Sequence, residues 1–202
     1  ISNNILTIPN NESTNTKSGT LTVVFALENN QTKEVSAALN QAAGAKVYTN
    51  WVLDLQTDGT SVEAKGGTRT ITVNIARRTY KWNNTGTVYS ETATPTLSIS
   101  GSASLSGNQI KFTSNESVSA RSATLTASYV GLSKTVTITQ QAGAKVYSAW
   151  SAWAVSISAS AQTIAASGGS STITTNASRS RTWTWNGVGT IYTDTETATP
   201  TL

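Results

Sequence analysis

The chain repeats itself, and that limits its fold more than any other feature. Residues Gln41 to Tyr48 (QAAGAKVY) return as Gln140 to Tyr147 (QQAGAKVY), so 44 maps onto 143, an offset of 99. Asn11, Glu12 and Ser13 return as Asn115, Glu116 and Ser117 (11 onto 115, offset 104). Gly66-Gly67 followed by Ile71 returns as Gly168-Gly169 followed by Ile173 (66 onto 168, offset 102). Glu91 to Leu97 (ETATPTL) returns as Glu196 to Leu202 (91 onto 196, offset 105). Four blocks in the same order make one unit of about a hundred residues, too long for a solenoid coil and right for a domain. The drift between offsets predicts short loop insertions between copies.

Within the unit the apolar period is two. Leu21, Val23, Phe25 and Leu27 share one strand face, and Val35, Ala37 and Leu39 share another. Ile71, Val73 and Ile75 follow the same rule, as do Leu125, Ala127 and Tyr129, then Val136 and Ile138. Thr and Ser fill most opposite positions, the pattern of half-buried antiparallel strands. Gly66-Gly67, Asn83 to Gly86, Ser106 to Asn108 and Gly168-Gly169 punctuate the runs as turns. No window has helical periodicity. The expected class is all-β, a sandwich or barrel.

Charged residues are only 12% of the 202, while apolar residues reach 37% in regular alternation, so a core can form under a surface of hydroxyls and amides. The chain has no His, Cys or Met. The commonest metal ligands and most nucleophile–base pairs are thereby missing, and neither a cofactor nor a metal site is expected. The ten carboxylates are scattered; the closest pair, Asp194 and Glu196, reads as loop acids, and Asp54 with Asp58 lacks further ligands for calcium. An enzyme is not expected. The net charge of +4 comes from short clusters (Arg77, Arg78 and Lys81; Arg179 and Arg181) rather than a broad nucleic-acid patch. No apolar run reaches the ~20 residues of a membrane helix, and no signal peptide is visible. The first residue is Ile1 rather than Met, and the expectation is a segment of a longer chain.

The stretch Asn115 to Gly143, with Arg121-Ser-Ala-Thr, two alternating strands and a closing Thr139-Gln140, resembles the C-terminal half of the BACON domain. That is an Ig-like module of Bacteroidetes surface proteins and their phages. Asn11 to Gln41 is a second copy, with Lys17 in place of Arg121 and Asn40-Gln41 at its close. Gly168-Gly169, Ile173 and Asn176 are similar to the upstream half, while Arg181 to Asn186 (RTWTWN) departs from it. The resemblance implies tandem Ig-like antiparallel β-sandwich domains outside the cell, on a bacterial or virion surface. It implies either a stalk or fibre spacer or carbohydrate binding.

Two aromatic sets carry the choice. Arg78, Tyr80 and Trp82 alternate on one strand face, as do Arg181, Trp183 and Trp185. Exposed, they make a carbohydrate-binding stripe that stacks sugar rings; buried, they are core. Tyr48 and Trp51, and Tyr147, Trp150 and Trp153, follow the repeated Gly and are expected at a joint between repeats, in preference to a ligand site or ordinary core packing. Expected partners are neighbouring repeats of the same or an identical chain and surface glycans, with no nucleic acid and no membrane insertion.

Two domain frames remain open. One makes 45–143 a complete repeat, with 1–44 closing a preceding repeat and 144–202 opening a following one. The other cuts at 1–97 and 98–202, equating Leu202 with Leu97 and Ile1 with Ile99. In both, Lys17 and Arg121 start equivalent core strands, so Leu21 and Leu125 should be buried.

Overall fold

The structure, a computed structural model, describes residues 5–200, so the equivalences proposed for Ile1 and Leu202 lie outside the described residues. It is all-β, as the alternation predicts. Along the chain the strands are β1 (Lys17–Ala26), β2 (Thr32–Gln41), β3 (Lys46–Tyr48), β4 (Val52–Thr57), β5 (Ser61–Val62), β6 (Gly67–Trp82), β7 (Tyr89–Ala93) and β8 (Thr96–Gly101). Then come β9 (Ser104–Ser106), β10 (Gln109–Phe112), β11 (Arg121–Tyr129), β12 (Leu132–Gln140), β13 (Lys145–Tyr147), β14 (Ala154–Ala159), β15 (Ile173–Trp185) and β16 (Val188–Ala198). The one helical element among the described residues is a single turn, Glu28–Asn30.

Among the described residues the strands form four sheets: the hairpin β1–β2; the order β3-β6-β10-β9 with β4 and β7 also on β6; the order β5-β12-β11-β8; and β13-β15-β14 with β16 on β15. β1–β2, β3–β6, β6–β7, β6–β10, β9–β10, β13–β15, β14–β15 and β15–β16 pair antiparallel, whereas Ser61 and Val62 of β5 run parallel to Thr139 and Gln140. The sheets are antiparallel as expected, with this one short parallel pair beside them. The chain divides into two compact units, one of Ile1–Asp54, Asn74–Thr96 and Ser128–Lys134, the other of Leu55–Val73, Leu97–Ala127 and Thr135–Leu202.

The second unit holds the core. Leu55, Ile71, Ile110 and Phe112 meet Val62, Ala123, Leu125, Ala127 and Ile138, with Val136 packed against them. These are the alternate residues of their strands, as a period of two requires. In the same unit Ile157, at 68% exposure, and Ile173 are open to solvent.

In the first unit β1 and β2 pair from Lys17 opposite Gln41 to Ala26 opposite Thr32. Here the expected burial of Leu21 is corrected. Leu125 is fully buried, whereas Leu21 is half-buried and Val23, Phe25 and Val35 are exposed. The same strand pattern has been laid down, but burial needs a second sheet over it, and this hairpin is a sheet of two strands. Lys17 and Arg121 do start equivalent strands, yet only Arg121 is built in: it donates to Gln140 Oε1 at 2.7 Å and to the carbonyls of Thr113 and Ser114 at 2.9 and 3.1 Å.

Strands β11 and β12 are joined by Val130 and Gly131, at φ 47° and 77°. Two positive φ values make the turn that suits the right-handed twist of a hairpin. A β-branched side chain is strained there.

Three stability changes follow and are read by urea denaturation. Leu125→Ala costs about 2–5 kcal/mol, while Leu21→Ala costs less than about 1.5 kcal/mol. Val130→Asn stabilises by about 1 kcal/mol, because Asn accepts the left-handed conformation and the valine side chain is exposed. Equal losses at Leu21 and Leu125 would contradict the burial difference.

Candidate functional site

The repeated block ending in Gly-Ala-Lys-Val-Tyr makes the same joint twice. Asn115 is almost wholly buried and its Nδ2 donates to the carbonyls of Ser119 and Gln141 at 2.9 and 2.8 Å. Asn11, also buried, donates to the carbonyls of Asn15 and Ala42 at 2.9 and 2.7 Å. The Gly143 amide donates to the Ser117 carbonyl at 2.6 Å, as Gly44 does to Ser13 at 2.7 Å. A Cβ on Gly143 would stand 2.1 Å from the Asn115 carbonyl oxygen, and one on Gly44 would stand 2.0 Å from that of Asn11. Only glycine lets the two backbones approach that closely.

A second asparagine locks each joint from the far end of the next hairpin. Asn186 exchanges both hydrogen bonds with Ala144: its amide donates to the carbonyl at 2.7 Å and its Oδ1 accepts from the amide at 2.9 Å. Its Nδ2 then reaches back to the Asn115 carbonyl and Ser114 Oγ at 3.0 Å each. Asn83 repeats the exchange with Ala45 at 2.7 and 2.9 Å and reaches the Asn11 carbonyl at 3.3 Å. Both asparagines sit at positive φ, 55° and 52°. Asn tolerates that conformation and its short amide can still bond locally. Each joint therefore ties the segment just after β2 or β12 to the turn that follows β6 or β15.

Beyond the joint, cations and aromatic rings alternate. In the first unit the Arg78 guanidinium lies 3.6 Å from the Tyr48 ring centre and 4.5 Å from that of Trp51. Lys46 Nζ sits 4.3 Å over Tyr80, which stacks on Tyr89 at 5.2 Å. Glu91 collects the charges: Arg78 donates to it with Nε and a terminal nitrogen at 3.0 and 2.9 Å, and Lys46 at 3.3 Å and the Tyr48 hydroxyl at 3.2 Å join them. Burial works against the Glu91 carboxylate, but these donors, Arg78 first, hold its carboxyl below the usual carboxylate range.

In the second unit the ladder is one rung longer. Tyr147, Arg181, Trp150, Arg179 and Trp153 follow in turn at 3.9, 4.6, 4.8 and 4.6 Å. Arg181 pairs with Asp194 and Arg179 with Glu196. Lys145 lies 4.0 Å over Trp183, which stacks on Tyr192 at 4.3 Å and donates its indole N–H to Asp194 at 3.0 Å. Arginine suits these positions because its flat guanidinium stacks on a ring while its edge bonds a carboxylate.

The segment that carries the rings is irregular, and hydroxyls fit it to the strand. Thr49 donates its amide to the Thr79 carbonyl at 2.8 Å and accepts the Thr79 amide on its own hydroxyl at 2.9 Å. Ser148 does the same to Thr182, and Ser151 to Ser180. Each clip uses three residues of the segment against two of the strand, so Tyr147, Trp150 and Trp153 stay in step with Arg181 and Arg179.

The rung also explains the rise of the offset from 99 at Gly44 to 105 at Glu91. By strand register Ala76 lies opposite Ala93 and Arg78 opposite Glu91, while Ala177 lies opposite Ala198 and Arg179 opposite Glu196. Arg181 and Asp194 are then an extra pair between these and the Trp183–Tyr192 pair, which matches Tyr80–Tyr89. These insertions lie in paired strands and the ring segment, whereas the fall of the offset from 104 to 99 lies in a loop, as expected: residues 27–31 join β1 to β2, and Val130 and Gly131 alone join β11 to β12. Asp194 and Glu196, expected in a loop, lie in β16 as ion-pair partners. Sequence reasoning missed the clips and the extra rung; the signal was the triplet run in Tyr147 to Trp153 (YSAWSAW), set against alternating Arg179 and Arg181.

Of the six stripe residues, Trp82 is buried at 8% exposure, and Arg78, Tyr80, Arg181, Trp183 and Trp185 are half-buried. Within each unit the structure does bring the three together: Tyr80 meets Trp82 edge-on at 6.3 Å and Trp183 meets Trp185 at 5.8 Å. Their rings are engaged by the cations and tyrosines above. No group of three or more potential metal ligands occurs among the described residues.

The joint predicts that Gly143→Ala lowers stability by about 1–3 kcal/mol in urea denaturation, through the overpacked contact. The carboxylate predicts an acid limb. Since the folded Glu91 carboxyl is depressed, its contribution is complete above the ordinary glutamate value, about pH 4.3, and fades as pH falls through the lower folded value. Glu91→Gln should flatten thermal stability against pH below that point and leave its slope at neutral pH unchanged. An identical acid limb would show that Arg78 and Lys46 do not hold the carboxylate.

No family model matches this chain, and neither a curated protein nor a solved structure matches it.

Proposed function

We propose that the chain is a non-catalytic structural spacer, a run of tandem Ig-like β-sandwich repeats in an extracellular stalk or fibre on a bacterial cell or virion surface. The observation that carries this reading is the joint built twice from equivalent residues, Asn11, Gly44 and Asn83, then Asn115, Gly143 and Asn186. Identical clasps repeat one fixed connection, which a spacer needs and a lone binding module does not. The resemblance to BACON domains points the same way. In this reading one repeat runs from 45 to 143, with 1–44 closing a preceding repeat and 144–202 opening the next. The core shared by Ile71 and Ile138, with Ile157 and Ile173 left exposed, favours that frame over 1–97 and 98–202.

Glycan binding through Arg78, Tyr80, Trp82, Arg181, Trp183 and Trp185 is the second reading. Its support is that Tyr48, Tyr147 and Trp153, which border those residues, keep exposed surface beside arginines. Against it, the ladder rings are stacked on guanidinium groups that a sugar would have to displace.

Affinity electrophoresis through a panel of neutral and acidic polysaccharides separates the two. The spacer reading predicts unchanged mobility in every gel. Retardation by one polysaccharide, lost in Tyr147→Ala and Trp153→Ala, would replace it with the glycan reading.

A further inference from the structure

We propose that strands β5 and β12 form a load-bearing clamp, which keeps the repeat from being drawn out when tension passes along the chain. The proposal rests on the spacer reading and adds the task a stalk repeat has to perform, to stay folded while its two ends are pulled apart.

The clamp follows from strand direction. In the repeat that runs from 45 to 143, β5 lies on the entering side of the chain and β12 is the last strand before Gly143. The two run parallel, with Ser61 opposite Thr139 and Val62 opposite Gln140. Tension draws β5 back toward its start and β12 forward toward its end. In a parallel pair these pulls oppose each other along one axis, so the bonds between the strands are loaded together, in shear. The Thr139 amide donates to the Thr60 carbonyl and the Gln141 amide to the Val62 carbonyl, each at 2.9 Å. An antiparallel pair pulled at its open end parts one bond at a time instead. Strands β3 and β4 precede β5 and pair with β6. Even with both drawn off β6, the ends of the repeat part no further until β5 slides along β12.

Gln140 resists that slide. It is fully buried, and its Nε2 donates to the carbonyls of Glu63 and Ala64, just beyond β5, at 3.2 Å each and to that of Thr113 at 2.7 Å. Its Oε1 accepts from Arg121 Nε of the neighbouring β11 at 2.7 Å. A slip of one residue turns every side chain of β12 to the opposite face, and Ile138 leaves the core. A slip of two brings Ile138, which can bond none of these groups, into the place of Gln140. The carboxamide then loses its partners and Arg121 Nε its acceptor. Val62 is the apolar half of the same lock, buried with Ile110, Phe112 and Ile138. The pair therefore has no second register beside the native one, and it holds until all of it breaks.

The chain has no cysteine, so single-molecule pulling can be aimed by introducing two. Thr60→Cys with Ala142→Cys attaches the handles before β5 and after β12. Ala120→Cys with Ala142→Cys attaches them at the open end of the β11–β12 hairpin; all three side chains are exposed. The full chain is pulled at the same speed in both. The expected result is one abrupt rupture from the first pair, at a force several times that of the second. Gln140→Leu should bring the first force down toward the second. Ile110→Val, in the same core but on β10, should lower the urea midpoint and leave the first force unchanged, because forced unfolding follows the unfolding barrier and not the equilibrium. Equal forces from the two pairs would overturn the proposal. So would a Gln140→Leu chain that ruptures like the wild type, or an Ile110→Val chain that weakens as much as Gln140→Leu. The comparison of the two handle pairs needs neither core variant, so it decides even where Gln140→Leu does not fold. Equal forces with unchanged mobility in polysaccharide gels leave the spacer reading standing; retardation in those gels removes the spacer reading whatever the force.

Discussion

Everything at the joints depends on a backbone contact that has no room for a side chain. The carbonyl oxygen of Asn115 occupies the space a Cβ of Gly143 would need, and Asn11 does the same to Gly44. That closeness aligns the Gly143 amide with the Ser117 carbonyl and places the next residue, Ala144, where Asn186 can bond both its polar groups. Asn115 then satisfies two loop carbonyls from inside. A buried polar side chain of this kind is stable only when its partners are fixed, and so it fixes them. The asparagines specify one geometry, and apolar residues in their place would not.

The ladder beside each joint shows how such a unit can lengthen without losing register. A strand places a side chain on a given face every two residues, whereas the ring segment advances three per step. The Thr49, Ser148 and Ser151 clips reconcile the two periods by lending a side-chain oxygen where the backbone acceptor is out of reach. One additional clip, one additional arginine and one additional carboxylate make one additional rung. The ladder arginines Arg78, Arg179 and Arg181 are thereby engaged by rings and carboxylates of their own unit.

Much of the fold was legible in the sequence because a period of two leaves few alternatives. Leu125, Ala127 and Ile138 lie in the core as their alternation requires. Leu21 has the same local pattern and is only half-buried, because a pattern names the face and not what covers it. Asp194 and Glu196 looked like loop acids because Thr and Tyr around them carry no apolar alternation, although β-propensity alone favours a strand there. The extra rung left one trace, the growth of the repeat offset from 99 to 105 (44 onto 143, 91 onto 196), which does not say where the insertions fall. Hydroxyl clips are invisible to hydropathy, since Ser and Thr fill most surface positions of this chain. The joint glycines were visible as repeats, but only the distance to Asn115 and Asn11 explains them.

Amide hydrogen exchange addresses the central claim, that each joint is a fixed clasp rather than a hinge. The amides of Ala144 and Asn186 face each other across it, and Ile138 lies in the core beside it. A clasp predicts that Ala144 and Asn186 exchange on the slow timescale of Ile138, because opening the joint then requires opening the core. Fast exchange at Ala144 and Asn186 with Ile138 still protected would show a joint that opens by itself, and would contradict the account.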